Sequence, residues 1–206
     1  RLDYTDGGCP SLLLEGNSTN LITESELFDN AYWTKSGATV TSGFSAPSVD
    51  SPLGAFKLVE DTSNGVHRVQ RDFTVASSLD SYSVSARVKK GERNYVILAL
   101  RTVSFANRAE ATFDLLNGTI SVPAFGSGDL TNISAKITAL ADGWYDVSLS
   151  CTKNSDITIN SYLHIAKTST DGVATTYAGD GTSGVYIFAS QLEQNSYATS
   201  YIPTSG

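Results

Sequence analysis

Residues 177–206 read YAGDGTSGVYIFASQLEQNSYATSYIPTSG, and this stretch decides the fold. A glycine-rich turn, Gly179-Asp180-Gly181, runs into an apolar alternating stretch over Val185–Glu193. A short closing segment then ends in Tyr201-Ile202-Pro203-Thr204. A turn, an alternating strand and a closing strand make the last strands of a β-sandwich. Alternation at period two puts one face on a core and leaves the other for solvent or contacts.

The same pattern runs back through the chain. Tyr82, Val84, Ala86 and Val88 alternate with Ser83, Ser85, Arg87 and Lys89. Asn94–Thr102 (NYVILALRT) is apolar on both faces, which predicts a central strand covered on both sides or one using a face for contacts. Gly91, with Lys90, Glu92 and Arg93, supplies a hairpin turn between the two. Arg108–Leu115 ends at Asn117-Gly118 and Leu130–Leu140 at Asp142-Gly143, both strong hairpin signals. Trp144–Lys153, Ile157–Lys167, a turn at Asp171-Gly172 and Val185–Glu193 complete the second half. Ala38–Ser42, Ala55–Glu60 and Val66–Val75 supply the first. About ten short strands spaced by turn residues predict an all-β fold, a single jelly-roll-like β-sandwich of two antiparallel sheets. Residues 1–22 are a lead-in segment or linker continuing into the sandwich, and 23–206 the sandwich module. The best helical hint, ESELFDNAY over Glu24–Tyr32, has the length of a turn. Pro47 and Pro52, in a serine-rich stretch, mark an exposed loop.

The chain has 206 residues, room for one large domain with a real core. Its 40% hydrophobic content is too high for a disordered chain. Only 17% of residues are charged, and Ser, Thr, Asn and Gly abound, as in virion or extracellular β-proteins. A net charge of −7 argues against a nucleic-acid partner, because phosphate binding needs a basic surface. The local basic run Arg87, Lys89, Lys90 and Arg93 reads as a solvated face, or as a contact for an anionic polysaccharide. No stretch approaches the roughly 18 apolar residues of a membrane span, and no signal peptide is visible. A chain without methionine reads as a processed product or a fragment of something longer. Cys9 and Cys151 are too few for a disulfide scaffold and lack metal-ligand spacing. Cys151 follows Val147 and Leu149 at period two, the place of a small buried residue, and its pairing with Cys9 stays open.

Five segments carry a family resemblance: Leu12–Ile22 (LLLEGNSTNLI), Leu27–Gly37 (LFDNAYWTKSG), Tyr82–Glu92 (YSVSARVKKGE), Gly143–Ser150 (GWYDVSLS) and the tail. Together they resemble the jelly-roll, concanavalin-like carbohydrate-binding module of bacteriophage tail-fibre and other virion proteins. Similar modules are appended to secreted polysaccharide-acting proteins. The resemblance implies a non-catalytic module at the virion surface or outside the cell, recognising cell-surface or extracellular glycan. Possible partners would be other virion subunits or two further copies in a homotrimer. A carbohydrate-binding module of a secreted polysaccharide-degrading enzyme and a purely structural oligomerisation domain are the alternatives. Phe188 stands where the pattern often has tryptophan, which puts stacking at that position in doubt.

No GxSxG, HExxH or Walker-type motif is present, and His67 and His164 lie on strand-like segments without a nucleophile signature. Glycoside cleavage needs two facing carboxylates, and no such pair is marked out. Sugar binding needs exposed aromatic faces and planar polar side chains. Ile157, Ile159, Leu163 and Ile165 point one way, and Thr158, Asn160, Tyr162 and His164 the other. Tyr145, Val147, Leu149 and Cys151 share an apolar face opposite Trp144, Asp146 and Ser148. If the two segments pair, Trp144, Asp146, Asn160, Tyr162 and His164 form one glycan-binding surface, which Arg101 and Tyr95 extend. The other reading is an ordinary solvated face, with Trp144 packed over a hairpin edge and Arg101 snorkelling. Trp33 beside Tyr32 is either an exposed hot spot or a plug closing one end of the sandwich. Calcium is the natural structural ion for such folds, with Asp180 and Glu193 or Asp171 as ligands. Asp180 in its Gly-rich turn could instead bond its own backbone. Three sequons, at Asn17, Asn117 and Asn132, read as chance.

Overall fold

The computed structural model describes residues 15–47, 54–73, 80–102, 106–154 and 158–205, and the backbone of 2–3 and 11–12. Among them the strands are β1 (Leu2–Asp3), β2 (Ser11–Leu12), β3 (Thr34–Ser36), β4 (Ala38–Phe44), β5 (Ala55–Glu60), β6 (Asn64–Gly65), β7 (Arg68–Phe73) and β8 (Asp80–Lys90). They continue as β9 (Tyr95–Arg101), β10 (Arg108–Asp114), β11 (Thr119–Ser127), β12 (Leu130–Ala139), β13 (Trp144–Lys153), β14 (Ile159–Ala166), β15 (Tyr177–Ala178) and β16 (Gly184–Glu193). The first large sheet has the order β11-β10-β9-β14-β7-β3 and the second β12-β13-β8-β16-β5-β4. Every pairing is antiparallel. The expected β-sandwich is present.

One core lies between the sheets, built by the alternation seen in the sequence. Val96, Leu98 and Leu100 of β9, Ala109, Ala111 and Phe113 of β10, and Ile159, Leu163 and Ile165 of β14 fill it from the first sheet. Val84, Ala86 and Val88 of β8, Val147, Leu149 and Cys151 of β13, and Val185 and Ile187 of β16 meet them from the second. Burial of this apolar area is the main stabilising force. β9 sits inside its sheet and is buried on both faces after Tyr95, as its apolar run predicts. Cys151 is a free, buried thiol whose pKa burial pushes up to about 12. Cys9, Pro52 and Ile157 lie outside the described residues. Glu24–Tyr32 forms turns and an isolated bridge. No helix among the described residues is long and apolar enough to cross a membrane.

Three connections correct the sequence expectations. The Gly91 turn does not join a hairpin: β8 lies in the second sheet and β9 in the first, so the chain crosses between layers there. Gly184 clamps the crossing. Its carbonyl accepts from Arg93 N at 3.1 Å and lies 2.5 Å from where a Cβ on Gly91 would stand. β13 and β14 do not pair either, since β13 runs between β12 and β8 and β14 between β9 and β7. Finally, β16 carries a bulge: Phe188 faces Arg87 and Gln191 faces Ser85, so three steps on one strand match two on the other. Ala189, at φ 53, takes up the extra residue. Core parity switches across it, from Val185 and Ile187 to Leu192.

The lead-in segment is tied into the sandwich and its closing segment from Glu15 onward, where Glu15 accepts from Ser200 N at 2.8 Å. Leu21 N donates to Leu192 O at 2.7 Å, and the Asn20 amide oxygen accepts from Ile22 N and Leu192 N at 3.1 Å each. Asn20 Nδ2 donates to Ile202 O at 3.0 Å, joining the lead-in segment to the closing segment. β11 was not legible in the sequence, because its register is broken twice and Pro123 interrupts it; it is an edge strand, where proline is tolerated.

Candidate functional site

The structure divides the candidate glycan residues between two opposite outer faces. On the first sheet, register places Arg101 beside Asn160, with Tyr162 beside Gln70 and His164 beside Arg68. Asn160, Tyr162, His164 and Arg101 therefore do converge. They are also buried, none more than 3% exposed. The Arg101 guanidinium lies 3.9 Å from the Tyr162 ring centroid and that of Arg68 4.7 Å. The Tyr162 hydroxyl accepts from Asn160 Nδ2 at 2.9 Å, and Ile97, Ala99 and Val173 share its apolar cluster. Both the ring and its hydroxyl are engaged within the protein.

Burial, then the positive charges of Arg68 and Arg101, hold His164 well below its usual pKa of 6.5. The unfolded chain therefore binds this proton more readily than the folded one, and stability falls as pH drops below about 6.5. Thermal melts between pH 7 and pH 5 are expected to show a falling midpoint, with a shallower fall for His164→Asn. Equal slopes for the two proteins would remove His164 as the cause.

On the second sheet, Trp144 and Asp146 face outward from β13. Trp144 is only 3% exposed, packed with Ala55, Phe188 and Ala189, and Phe44 and Tyr186 border the cluster. Phe188 is buried here, 1% exposed, so it offers no free ring. Register aligns Trp144, Lys89 and Tyr186 across three strands. Phe44 meets Tyr186 edge to face at 5.0 Å. Phe44, Ser45, Lys89, Trp144 and Tyr186 line an open groove of about 270 Å³. Asp146, the next outward residue, stands 3.9 Å from Arg87, whose guanidinium lies 5.4 Å from the Tyr201 ring. The outward positions of Lys89 and Tyr186 are visible from period two, but their place beside Trp144 is not.

Trp33 belongs to neither face. It is 3% exposed, stacks on Phe28 at 4.9 Å and donates from Nε1 to Glu24 O at 2.9 Å. It is the plug.

The proposed calcium ligands do not fit a cation. Asp180 accepts from the N–H and hydroxyl groups of Thr182 and Ser183 and lies 3.3 Å from the Arg93 guanidinium. These donors, led by Ser183, drive its pKa far below the carboxylate range. Glu193 is buried and accepts from Ser18, Gln191 and Thr199. Asp171 caps its own turn through Lys167 N and Thr168 N. Asp180 precedes β16 and Glu193 is its last residue, so the two lie toward opposite ends of that strand. Among the described residues no three His, Cys, Asp or Glu side chains gather as a metal site.

No protein-family model matches the sequence, and no curated protein does. Several solved structures are similar over most of this chain at low identity. The enzymatically active domain of bacteriophage CBA120 tailspike protein 4 is 13% identical at a TM-score of 0.49, over 84% of this chain and 21% of that one. The module TmCBM61, solved with β-1,4-galactotriose, is 11% identical at a TM-score of 0.47, over 86% of this chain and 99% of that one. The CBM22-1–GH10 modules of Clostridium thermocellum xylanase 10B, solved with xylohexaose, are 13% identical at a TM-score of 0.44, over 88% and 29%. The chain thus spans about a fifth of the tailspike domain.

Proposed function

We propose that this chain is a non-catalytic glycan-recognising module of the phage tail-fibre or virion type. The groove beside Trp144 is the observation that carries the reading. Tyr186 and Phe44 supply apolar walls for the C–H face of a sugar ring, and Lys89 and Ser45 supply donors for its hydroxyls. Its volume of about 270 Å³, just below the roughly 300 to 1,000 Å³ typical of ligand pockets, suits a short stretch of sugar rather than a large cofactor. The virion assignment is supported by the sequence resemblance of the tail and of four further segments. A glycoside hydrolase or lyase domain flanking this chain would move the module to a secreted enzyme instead.

The test is retention in polysaccharide-containing gels and on a glycan array, with and without calcium. Wild type should be retained by at least one polysaccharide. Lys89→Ala should weaken retention about tenfold at unchanged thermal midpoint, and Tyr186→Ala as much, with a midpoint lowered by the loss of its contact with Phe44. Trp144→Ala is a poor probe, because its ring is part of a buried cluster. A stable oligomer that no polysaccharide retains would point to a structural role and end this reading.

A further inference from the structure

A second groove lies on the same outer face, at the other end of β13. It measures about 220 Å³ and is lined by Ser134 and Lys136 of β12, Ser148 and Ser150 of β13, and Tyr197 of the closing segment. Register sets Ser134 opposite Ser150 and Lys136 opposite Ser148, so these polar side chains form a compact square. Tyr197 stands beside them 51% exposed, one of three large apolar side chains left in the open among the described residues. An accessible aromatic ring beside three hydroxyls and an ammonium, with no carboxylate in the lining, is complementary to a sugar. The ring takes the apolar face of a pyranose, and the serines and lysine take its hydroxyls.

The two grooves lie along one strand. From Trp144 to Ser150 is six residues, or about 20 Å at the rise of a β-strand. Between them the outward residues are Asp146 on β13, Thr138 opposite it on β12 and Arg87 opposite it on β8, whose guanidinium lies by the Tyr201 ring. Thr138 is exposed and the Asp146 side chain is 40% exposed. The floor between the grooves is therefore polar and open.

We infer that the Tyr197 groove is a second glycan subsite, and that the two grooves hold the interior of one polysaccharide chain running along β13. This rests on the reading of the Trp144 groove as a sugar site. Simultaneous occupancy makes the second contact intramolecular, so affinity rises with chain length.

The experiment uses the size-fractionated hydrolysate, disaccharide to octasaccharide, of a polysaccharide that retains the wild-type chain. Titration calorimetry compares wild type, Tyr197→Ala and Tyr186→Ala, with thermal melts as the folding control. Tyr197 is outside the core, so its variant should melt like wild type. Wild-type affinity is expected to rise with length. Tyr197→Ala should lower the affinity for long fragments about tenfold and leave short ones as in wild type. Tyr186→Ala should weaken both. If Tyr197→Ala changes nothing while Tyr186→Ala weakens binding, the second subsite is overturned and the first reading stands. If Tyr197→Ala weakens short and long fragments alike, the extended track is overturned. If neither substitution matters, or no polysaccharide retains the protein, both readings fall.

Discussion

Replacing Glu60 by alanine is expected to lower the folding stability by about 3 to 5 kcal/mol, the cost of removing one partner from a buried ion pair. Glu60 ends β5 and is 1% exposed. Burial alone would push its pKa up. The Arg93 side chain, the Tyr177 hydroxyl and the Asp180 amide together bring it below the usual 4.5, so the group is ionised at neutral pH. Arg93 donates from Nε at 2.9 Å and also from Nη2, Tyr177 from its hydroxyl at 2.8 Å, and Asp180 from its backbone N at 3.0 Å. These donors come from the crossover between the sheets, from β15 and from the glycine-rich turn. One carboxylate therefore pins the crossover at Arg93 and the stretch from Tyr177 to Asp180, which are far apart in sequence. Truncation leaves the Tyr177 hydroxyl without this acceptor and Arg93 with only the more exposed Asp180. Glu60→Gln keeps the volume but not the charge and should fall between. Urea denaturation checks this: the midpoint should drop with little change in slope. A loss under about 1 kcal/mol would mean that the cluster relaxes around the gap. Because the folded pKa is depressed, this stabilisation is present above pH 4.5 and is lost as pH falls further.

Trp33→Ala should cost a similar amount, about 3 to 5 kcal/mol, for a different reason. Its ring lies in the main core cluster, stacked on Phe28, with Tyr32 edge-on at 5.4 Å. Phe28 in turn meets Phe56 of β5 at 6.0 Å. Arg71 covers the other aromatic, its guanidinium 4.0 Å from the Tyr32 ring. Deletion opens a cavity at one end of the sandwich and strands the Glu24 carbonyl that Nε1 satisfies. Trp33→Phe should lose less, since it keeps most of the packing and forfeits the hydrogen bond. Calorimetric unfolding beside gel retention separates the roles. A destabilised protein still retained by its polysaccharide at low temperature fits a plug. Unchanged stability with lost retention would make Trp33 a binding residue instead.

Most strands other than β11, their parity outside the β16 bulge, and the hairpins at Asn117-Gly118 and Asp142-Gly143 were determined by local sequence alone. Each follows from a preference that a few neighbouring residues express: alternation at period two, or the positive φ that glycine permits. The twofold burial of β9 was likewise legible, since a run such as YVILAL has no polar face to give to water. For the site, the sequence showed correctly that Trp144 and Tyr162 point away from the core. Pointing outward is not the same as being exposed, however. Tyr162 lies under two arginines from β7 and β9, and Trp144 rests on residues of β5 and β16.

Which strand lies beside which was decided only by the tertiary structure. Period two is a property of one strand and carries no label for its partner. β13 and β14 are consecutive and similar in pattern, yet they end in opposite sheets. The crossover at Gly91 has the composition of a hairpin turn and changes layers because the start of β16 packs against it. The bulge at Ala189 reverses parity within β16, between Ile187 and Leu192. Pairing is set by burying two apolar faces against each other across long loops, a global balance that no short stretch encodes. The aromatic groove is a product of that balance, assembled from residues on or next to β4, β8, β13 and β16 that meet only once the second sheet has paired.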